Sequence, residues 1–446
     1  MTPRFVHRLW VKRYLSRNAI PAAELREFPA LRPDEQRRIL ARQLLDLMQY
    51  FGTRSDALPE WRDASTIQDP DTLWRLWPSL PIMGKKLLAE RFPAGEISSR
   101  FSIPGAVNST GGSTGEPTHF YHDAKMIRAR HAATYYAREK LGWRMGMPVI
   151  IIWGSERDIG RQRGSWKQRL TTRLRGEYLL DGYNVTDDTV DHVLRLTRQI
   201  APVAIAGFTS MLEFVADRVV ERGDAVAPGL VAAAWNGGEM LYEHQKRRFQ
   251  EAFGHPLLNL YGGRELGAMA CQSHEDGPLE VIRPWLFVEV VDDNGRPAPP
   301  GVPGRVICTS TVCRGTPFLR YDIGDVGTYS ADLCNESGVT GLAELLGRDA
   351  GLLKLPDGRI INNIYWNHLF KEMPEIRQFQ IVLRANGTLC VALIGSGFTP
   401  SREQSLRTIL SNFLGPLPIQ IEWVQTIPRT KQGKLIQVIR ETPAAN

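Results

Sequence analysis

A chain of 446 residues is too long for one compact core, and 43% hydrophobic with 23% charged residues is the balance of an ordinary soluble globular protein. No apolar run approaches the roughly 18 residues of a membrane-spanning helix, and five scattered cysteines make no disulfide framework, so a reducing cytoplasm is expected. A formal net charge of +7 suits an anionic ligand without separating a nucleotide from nucleic acid.

Residues 4–17 set Arg4, Arg8, Lys12, Arg13 and Arg17 among Leu9, Trp10 and Leu15. That spacing breaks any signal-peptide core and predicts an amphipathic surface helix, with weak membrane or partner contact as the lesser alternative. From about 20 to 100, helical patterns alternate with Pro-rich breaks at 58–61 and 77–81. From about 147 the rhythm becomes strand, turn, helix. Met147–Trp153 and Val203–Ala206 read as buried strands, the second leading into a helix with Ser210 and Glu213 at capping-box spacing. Leu230–Trp235, Met240–Phe253 and Leu257–Leu260 repeat the unit, which predicts a mostly parallel sheet covered by helices. Arg157, Arg161, Arg163, Lys167, Arg169, Arg173 and Arg175 surround only Trp166, so they predict a solvated face and no nucleic-acid partner. Beyond 285, Phe287–Val291, the turn at 293–295 and Arg305–Cys308 predict a small antiparallel meander. From Gly347 onward the chain has its own strands and helices, with Asn386-Gly387 as a hairpin turn.

Six stretches carry chemistry. Asn108-Ser109-Thr110-Gly111-Gly112-Ser113-Thr114-Gly115-Glu116-Pro117-Thr118 offers backbone and hydroxyl donors to phosphate oxygens, but it lacks the Gly-Lys-Ser/Thr ending of a Walker loop. Asn236-Gly237-Gly238-Glu239 is a glycine turn directly after a strand, where open α/β sheets bind ligands. Asn259-Leu260-Tyr261-Gly262-Gly263-Arg264-Glu265 and Arg320-Tyr321-Asp322-Ile323-Gly324-Asp325 follow, then Gly347-Arg348-Asp349-Ala350-Gly351 and finally Pro428-Arg429-Thr430-Lys431-Gln432-Gly433-Lys434.

In their order and separations these stretches resemble the motifs of the adenylate-forming superfamily of acyl-CoA synthetases, luciferase and peptide-synthetase adenylation domains. Leu80-Pro81-Ile82-Met83-Gly84-Lys85-Lys86 and Leu355-Pro356-Asp357-Gly358-Arg359 are similar to the phenylacetate–CoA ligase-like branch with its CapK-type members. The resemblance implies an α/β protein in two parts. Residues 1–348 would form a large nucleotide- and acid-binding domain of helix-covered sheets with a small β-barrel-like subdomain. Residues 349–446 would form a small, mobile α+β lid domain.

It further implies that ATP phosphates lie on Ser109, Thr110, Gly111, Gly112, Ser113, Thr114 and Gly115. Gly237, Gly238 and Glu239 would border the adenine, with Tyr261 stacked on it beside Gly262. Glu265 would hold Mg²⁺, Arg264 would lie near the α-phosphate, Asp325 would bind the ribose with Arg348 nearby, and Lys434 would be the catalytic lysine. Three residues depart from the family pattern: Glu116 for Lys, Arg264 for Thr, and Gly351 for Asp or Lys.

The implied reaction is ATP-dependent formation of an acyl-AMP with release of pyrophosphate, then acyl transfer to a thiol, with CoA as the lead acceptor. An amine or a carrier-protein thiol is the alternative acceptor, and a non-catalytic nucleotide-binding homologue is the alternative class. Tyr135, Trp153, Gly154 and Phe208 are the expected acid pocket, since they flank predicted strand ends. Cys271-x-x-His274 lies where some relatives hold zinc, but no second cysteine follows Cys334 within the next three residues, so reduced cysteines are the expected state.

Overall fold

The computed structural model describes residues 4–18, 22–53, 59–62, 64–109, 118–153, 174–182, 185–348, 353–355, 360–361, 366, 369–370, 373, 375–395, 399–428 and 437–441. These form two compact units. One holds the described residues up to Ser109, then Thr118–Ile323 and Thr328–Glu344; the other holds Gly324–Gly327 and the described residues from Leu345 onward. Among the described residues no helix is long and apolar enough to cross a membrane.

The prolines of the N-terminal region mark where its helices start. Pro33 and Pro70 each occupy the first turn of a helix, Pro33–Gly52 and Pro70–Leu76, where a missing N–H costs nothing. In the longer helix Leu40, Leu44, Leu47, Met48 and Phe51 are buried, at the spacing of one apolar stripe.

The glycine-rich loop of the sequence joins two antiparallel strands, β1 (Gly105–Ser109) and β2 (His119–Asp123). Asp123 then caps the helix Ala124–Lys140, its Oδ1 accepting from the N–H groups of Lys125 and Met126. Next come β3 (Val149–Trp153), β4 (Glu177–Asp181), β5 (Val203–Phe208) and β6 (Val231–Gly237). They form a parallel sheet of order β4-β3-β5-β6. Ile150, Ile152, Val203, Ile205 and Ala234 enter a core shared with the helices Asp187–Ile200, Thr209–Glu221 and Glu243–Phe253. Alternate residues Val149, Ala204 and Ala233 are buried as well, so β3, β5 and β6 are covered on both faces and are largely apolar, while the edge strand β4 carries Glu177 and Asp181.

One local expectation is overturned. The helix Thr209–Glu221 has no side-chain cap of its own, and Ser210 and Glu213 do not form a capping box. Glu239 crosses from the next turn instead: its Oε2 accepts from the Ser210 N–H at 2.7 Å and its Oε1 accepts from the Ser210 hydroxyl at 3.1 Å. Glu213 is drawn to Gln245, whose Nε2 donates to it at 2.7 Å. The positive helix terminus takes whichever acid the tertiary structure delivers, and here that acid is not the local one.

Beyond the parallel sheet, β7 (Leu260–Gly263), β8 (Gly267–Cys271) and β9 (Leu279–Val281) make an antiparallel group. The predicted strand at Leu257–Leu260 thus starts later, with Leu258 bridging to Trp235 just before it. Then β10 (Leu286–Val291) and β11 (Gly304–Ser310) pair antiparallel, with β12 (Tyr321–Thr328) beside β11. The Asp293–Gly295 turn lies inside the connection between β10 and β11, where Asp292 Oδ1 accepts from the N–H groups of Asn294 and Arg296.

The second unit is built on a four-stranded sheet. Ile376–Leu383 and Leu389–Gly395 form the predicted hairpin, with Gly387 at φ 82° in its turn. Ile419–Trp423 and Val438–Arg440 add parallel edges, and Leu406, Leu410 and Leu414 of the helix Pro400–Leu414 complete the core.

In the first unit Arg320 is buried at the head of β12. Its Nη2 lies 3.0 Å from Glu289 and donates to the Gly295 carbonyl at 2.9 Å, while Nη1 donates to the carbonyls of Pro78 and Leu80. Burial pushes the Glu289 carboxyl upward, and the guanidinium draws it back toward ionisation. Breaking a buried pair leaves the survivor uncompensated. Arg320→Met is therefore expected to cost about 3–5 kcal/mol in urea denaturation followed by tryptophan fluorescence. Pairing it with Glu289→Met should restore most of the loss; a double variant no more stable than the single one would refute this account.

Candidate active site

Asn236 is the hub of the strand-end region. It is fully buried at the carboxyl end of β6; its Nδ2 donates to Thr209 Oγ1 at 2.9 Å and to the Glu239 carbonyl at 3.0 Å. Its Oδ1 accepts from the Leu260 N–H at 3.1 Å. One side chain therefore closes the glycine turn, holds the start of a helix and aligns β7. A Cβ on Gly238 (φ 73°) would come within 2.5 Å of the Phe208 ring, and one on Gly237 within 3.3 Å of Trp153. Trp153 and Phe208 stack with centroids 3.9 Å apart, so the structure brings these two proposed pocket residues together beside the turn. Tyr135 departs from the expected setting. It lies inside the helix Ala124–Lys140, packed on Trp143 at 5.6 Å, and burial pushes its phenol up to about 12.

Tyr261 is buried on β7, paired in register with Ala270. Glycine is obligatory next to it, because a Cβ at Gly262 would meet the Gly267 carbonyl oxygen at 2.4 Å. The β7–β8 turn carries Arg264, whose Nη1 donates to the Ser109 carbonyl at 3.4 Å, and Glu265, which is buried. The phenol of Tyr321 reaches Glu265 Oε1 at 3.5 Å. Ser109 thus lies beside the Glu265 turn. Thr110, Gly111, Gly112, Ser113, Thr114, Gly115, Glu116, Gly154, Gly351 and Lys434 lie outside the described residues.

Two residues not anticipated from sequence support Glu265 from below. His122, buried on β2 just before the Asp123 cap, places Nε2 at 2.7 Å from the Glu265 carbonyl oxygen. Arg130 Nη1 lies 2.9 Å from His122 Nδ1. A guanidinium only donates, so Nδ1 accepts and Nε2 carries the proton it gives to Glu265. Burial, reinforced by Arg130, pushes His122 down to about 3, and burial lowers Arg130 to about 10 against the opposing pull of Glu265. The only trace of this network in the sequence was His122, in the strand His119–Asp123 that follows the glycine loop.

In the second unit Asp325 is nearly buried, and the Arg348 Nε lies 3.0 Å from its Oδ1. The neighbouring Asp322 belongs to the first unit, paired with Arg305 at 2.8 Å. The two aspartates of this motif therefore have separate settings.

Cys271 is buried, and burial with the nearby Glu280 pushes its thiol up to about 12. His274 lies against Gly277, with its Nδ1 3.1 Å from the Ser273 hydroxyl. Among the described residues no group of three His, Cys, Asp or Glu side chains is placed to hold a metal ion.

Comparison with known proteins fits this geometry. Residues 178–314 match the AMP-binding enzyme family, and residues 353–441 match the CapK C-terminal domain. Protein CapK of Staphylococcus aureus is 23% identical over 335 residues, covering 73% of this chain and 72% of that protein. Phenylacetate-coenzyme A ligase of Thermus thermophilus is 24% identical over 323 residues, 70% of each chain. The solved 2-hydroxyisobutyryl-CoA ligase, in its postadenylation state with 2-HIB-AMP, superposes with TM-score 0.62 at 18% identity over 92% of this chain and 90% of that one. ATP-bound MatB from Rhodopseudomonas palustris superposes with TM-score 0.53 at 16% identity, over 75% and 66%. The two superpositions show a shared mixed α/β fold. The chain belongs to the AMP-binding, adenylate-forming superfamily. Within it, the C-terminal part is a CapK-type domain.

The buried histidine makes stability pH-dependent. His122 is held neutral well below its ordinary value near 6.5, so its contribution is complete above about pH 6.5 and is lost as pH falls toward about 3. Replacing it by Gln, which cannot titrate, should reduce the acid-side slope of unfolding free energy by up to about 1.4 kcal/mol per pH unit. Urea midpoints at a series of pH values read this directly; parallel curves for the two proteins would contradict it.

Proposed function

We propose that the protein converts a carboxylic acid and ATP to an acyl-AMP with release of pyrophosphate, then passes the acyl group to a thiol, with CoA as the first candidate. The observation that carries this reading is the joining of the Asn236–Glu239 turn and the Tyr261–Glu265 turn through the buried Asn236 amide, with Ser109 beside the second turn. A site of that kind at the strand ends of an α/β sheet offers a glycine turn and an aromatic ring for a base, and a buried carboxylate on the turn beside Ser109.

In this reading the acid's carboxylate oxygen attacks the α-phosphorus of ATP, the bond to the β-phosphate bridging oxygen breaks, and pyrophosphate departs. Three anionic groups meet, so positioning and neutralisation of charge dominate the barrier. Ser109 and the loop after it would hold the phosphates. Gly237, Gly238 and Glu239 would border the adenine, Tyr261 would stack on it, and Asp325 with Arg348 would take the ribose hydroxyls. Lys434 would bring its ammonium to the developing charge. Glu265 would hold Mg²⁺; a buried carboxylate completed by phosphate oxygens is the donor set that ion takes, and the ion would supply further charge neutralisation. Trp153 and Phe208 would wall the acid pocket. Residues 1–348 would form the nucleotide- and acid-binding domain and residues 349–446 the lid domain. In the second step a thiol sulfur attacks the acyl carbon and AMP leaves. An amine or a carrier-protein thiol could take the same place.

A second reading rests on two residues. Glu116 and Gly351 stand where the family pattern has Lys, and Asp or Lys, and both changes remove side chains expected to support catalysis. A nucleotide-binding protein without turnover is the outcome they favour.

ATP-dependent pyrophosphate release across aryl, fatty and amino acids, with mass spectrometry for acyl-AMP, separates the two readings. Release with one acid supports adenylation, and thioester on adding CoA selects the thiol acceptor. ATP binding without turnover across the panel supports the second reading. Lys434→Ala is expected to slow adenylate formation at least about 100-fold while sparing the reaction of supplied acyl-AMP with the acceptor. Equal loss of both half-reactions would remove Lys434 from its assigned role.

A further inference from the structure

The helix Arg4–Asn18 buries one face and exposes the other, and each face mixes apolar and polar side chains. Inward, His7 and Val11 are buried, His7 Nδ1 lies 3.2 Å from the Leu174 carbonyl oxygen, and the Tyr14 ring takes the Arg175 guanidinium at 5.3 Å. The Tyr14 hydroxyl reaches His131 on the helix Ala124–Lys140 at 3.4 Å. The helix is therefore seated in the first unit by specific contacts.

Outward, Phe5, Leu9, Lys12 and Ser16 follow the i, i+4, i+7, i+11 spacing of a single stripe, and all four are exposed. Arg8 flanks this stripe on one side, and Arg13 and Arg17 flank it on the other. Phe5 at 65% and Leu9 at 63% exposure are the two most exposed large apolar side chains among the described residues, and they are one helical turn apart. The helix contains no acidic residue. Among the described residues none of Arg8, Lys12, Arg13 and Arg17 is held in an ion pair. Glu177, next to the helix's seat, is already paired with Arg138 and Arg175.

Such a face leaves apolar area in water and cationic charge unneutralised. A second copy of the chain would not cover it well, because a twofold contact would set cation against cation. Nucleic acid would satisfy the charge but not Phe5 and Leu9. An anionic lipid surface satisfies both: the two apolar side chains enter the acyl boundary while the flanking Arg and Lys heads stay at the phosphates.

We propose that the outer face of the helix Arg4–Asn18 docks this protein reversibly on anionic membrane surfaces. The inference is independent of the acyl-AMP reading, since none of its residues belongs to the proposed active site.

Co-sedimentation of the full chain with phosphatidylcholine vesicles, and with vesicles of phosphatidylcholine mixed with phosphatidylglycerol, tests it. Binding to the mixed vesicles only is expected, weakening with added salt. Arg8→Gln and Lys12→Gln should each lower the partition coefficient about fivefold. Phe5→Ser with Leu9→Ser should lower it at least about tenfold, with an unchanged thermal melt. Equal retention by neutral vesicles would overturn the proposal. So would vesicle binding insensitive to Phe5 and Leu9 alongside equally strong binding to a single-stranded RNA homopolymer, which would mark a general polyanion site. A dimer in light scattering that the double Ser variant dissolves would make this face an interface between copies instead.

Discussion

The hydrogen bonding of the Asn236 amide governs how this site is built. A fully buried primary amide must place its donors and its acceptor or lose stability, and here each partner lies on a different element. The donors hold the start of the helix Thr209–Glu221 and the glycine turn, and the acceptor holds β7 at Leu260. Tyr261 and Glu265 lie on β7 and the turn beyond it, so their placement relative to the sheet follows from that bond. The turn residue Glu239 reinforces the arrangement by serving as the helix's missing cap.

Polar groups buried away from water recur through the first unit, each set with its own partners. His122 and Arg130 lie beneath the Glu265 turn, and Arg320 with Glu289 ties the Pro78–Leu80 segment to the head of β12. Each network fixes one arrangement, because a shift of about an ångström would leave a charge or a donor unsatisfied in a poorly polarisable interior. A site that must position a triphosphate benefits from such rigidity, since misplacement is costly where repulsion has to be overcome by geometry. The N-terminal helix shows the contrasting case: its inner face is fully engaged, while its outer face presents apolar and cationic groups that nothing in the described residues neutralises.

Superfamily membership and fold constrain the chemistry unequally. The match over residues 178–314 covers β4 to β11, including the two linked turns, and the match over 353–441 covers the second unit's sheet. Identity near 23% to CapK and to phenylacetate-coenzyme A ligase reaches across most of the chain, yet it is too low to carry a substrate over. The stacking of Trp153 on Phe208 depends on the local conformation of two strand ends rather than on any motif.

Much was determined by the sequence alone. The alternation of short apolar strands with amphipathic helices between 147 and 260 required a helix-covered parallel sheet, because strands buried on both faces have nowhere else to go. The Asn386-Gly387 pair required its hairpin, since few residues tolerate the left-handed turn. The glycines at 237, 238 and 262 marked the turns where backbone, ring and carbonyl crowd too closely for a Cβ. What only the tertiary structure decided were the long-range polar pairings. Glu239 displaced the local Glu213 as a helix cap, Tyr135 went into a helix interior, and His122 and Arg130 came to lie beneath Glu265, 143 residues along the chain from His122. Local pattern reports which residues prefer to be buried or turned. It does not report which distant partner a buried donor meets, because that is set by how whole elements pack, and the energy of a buried polar group depends almost entirely on that partner.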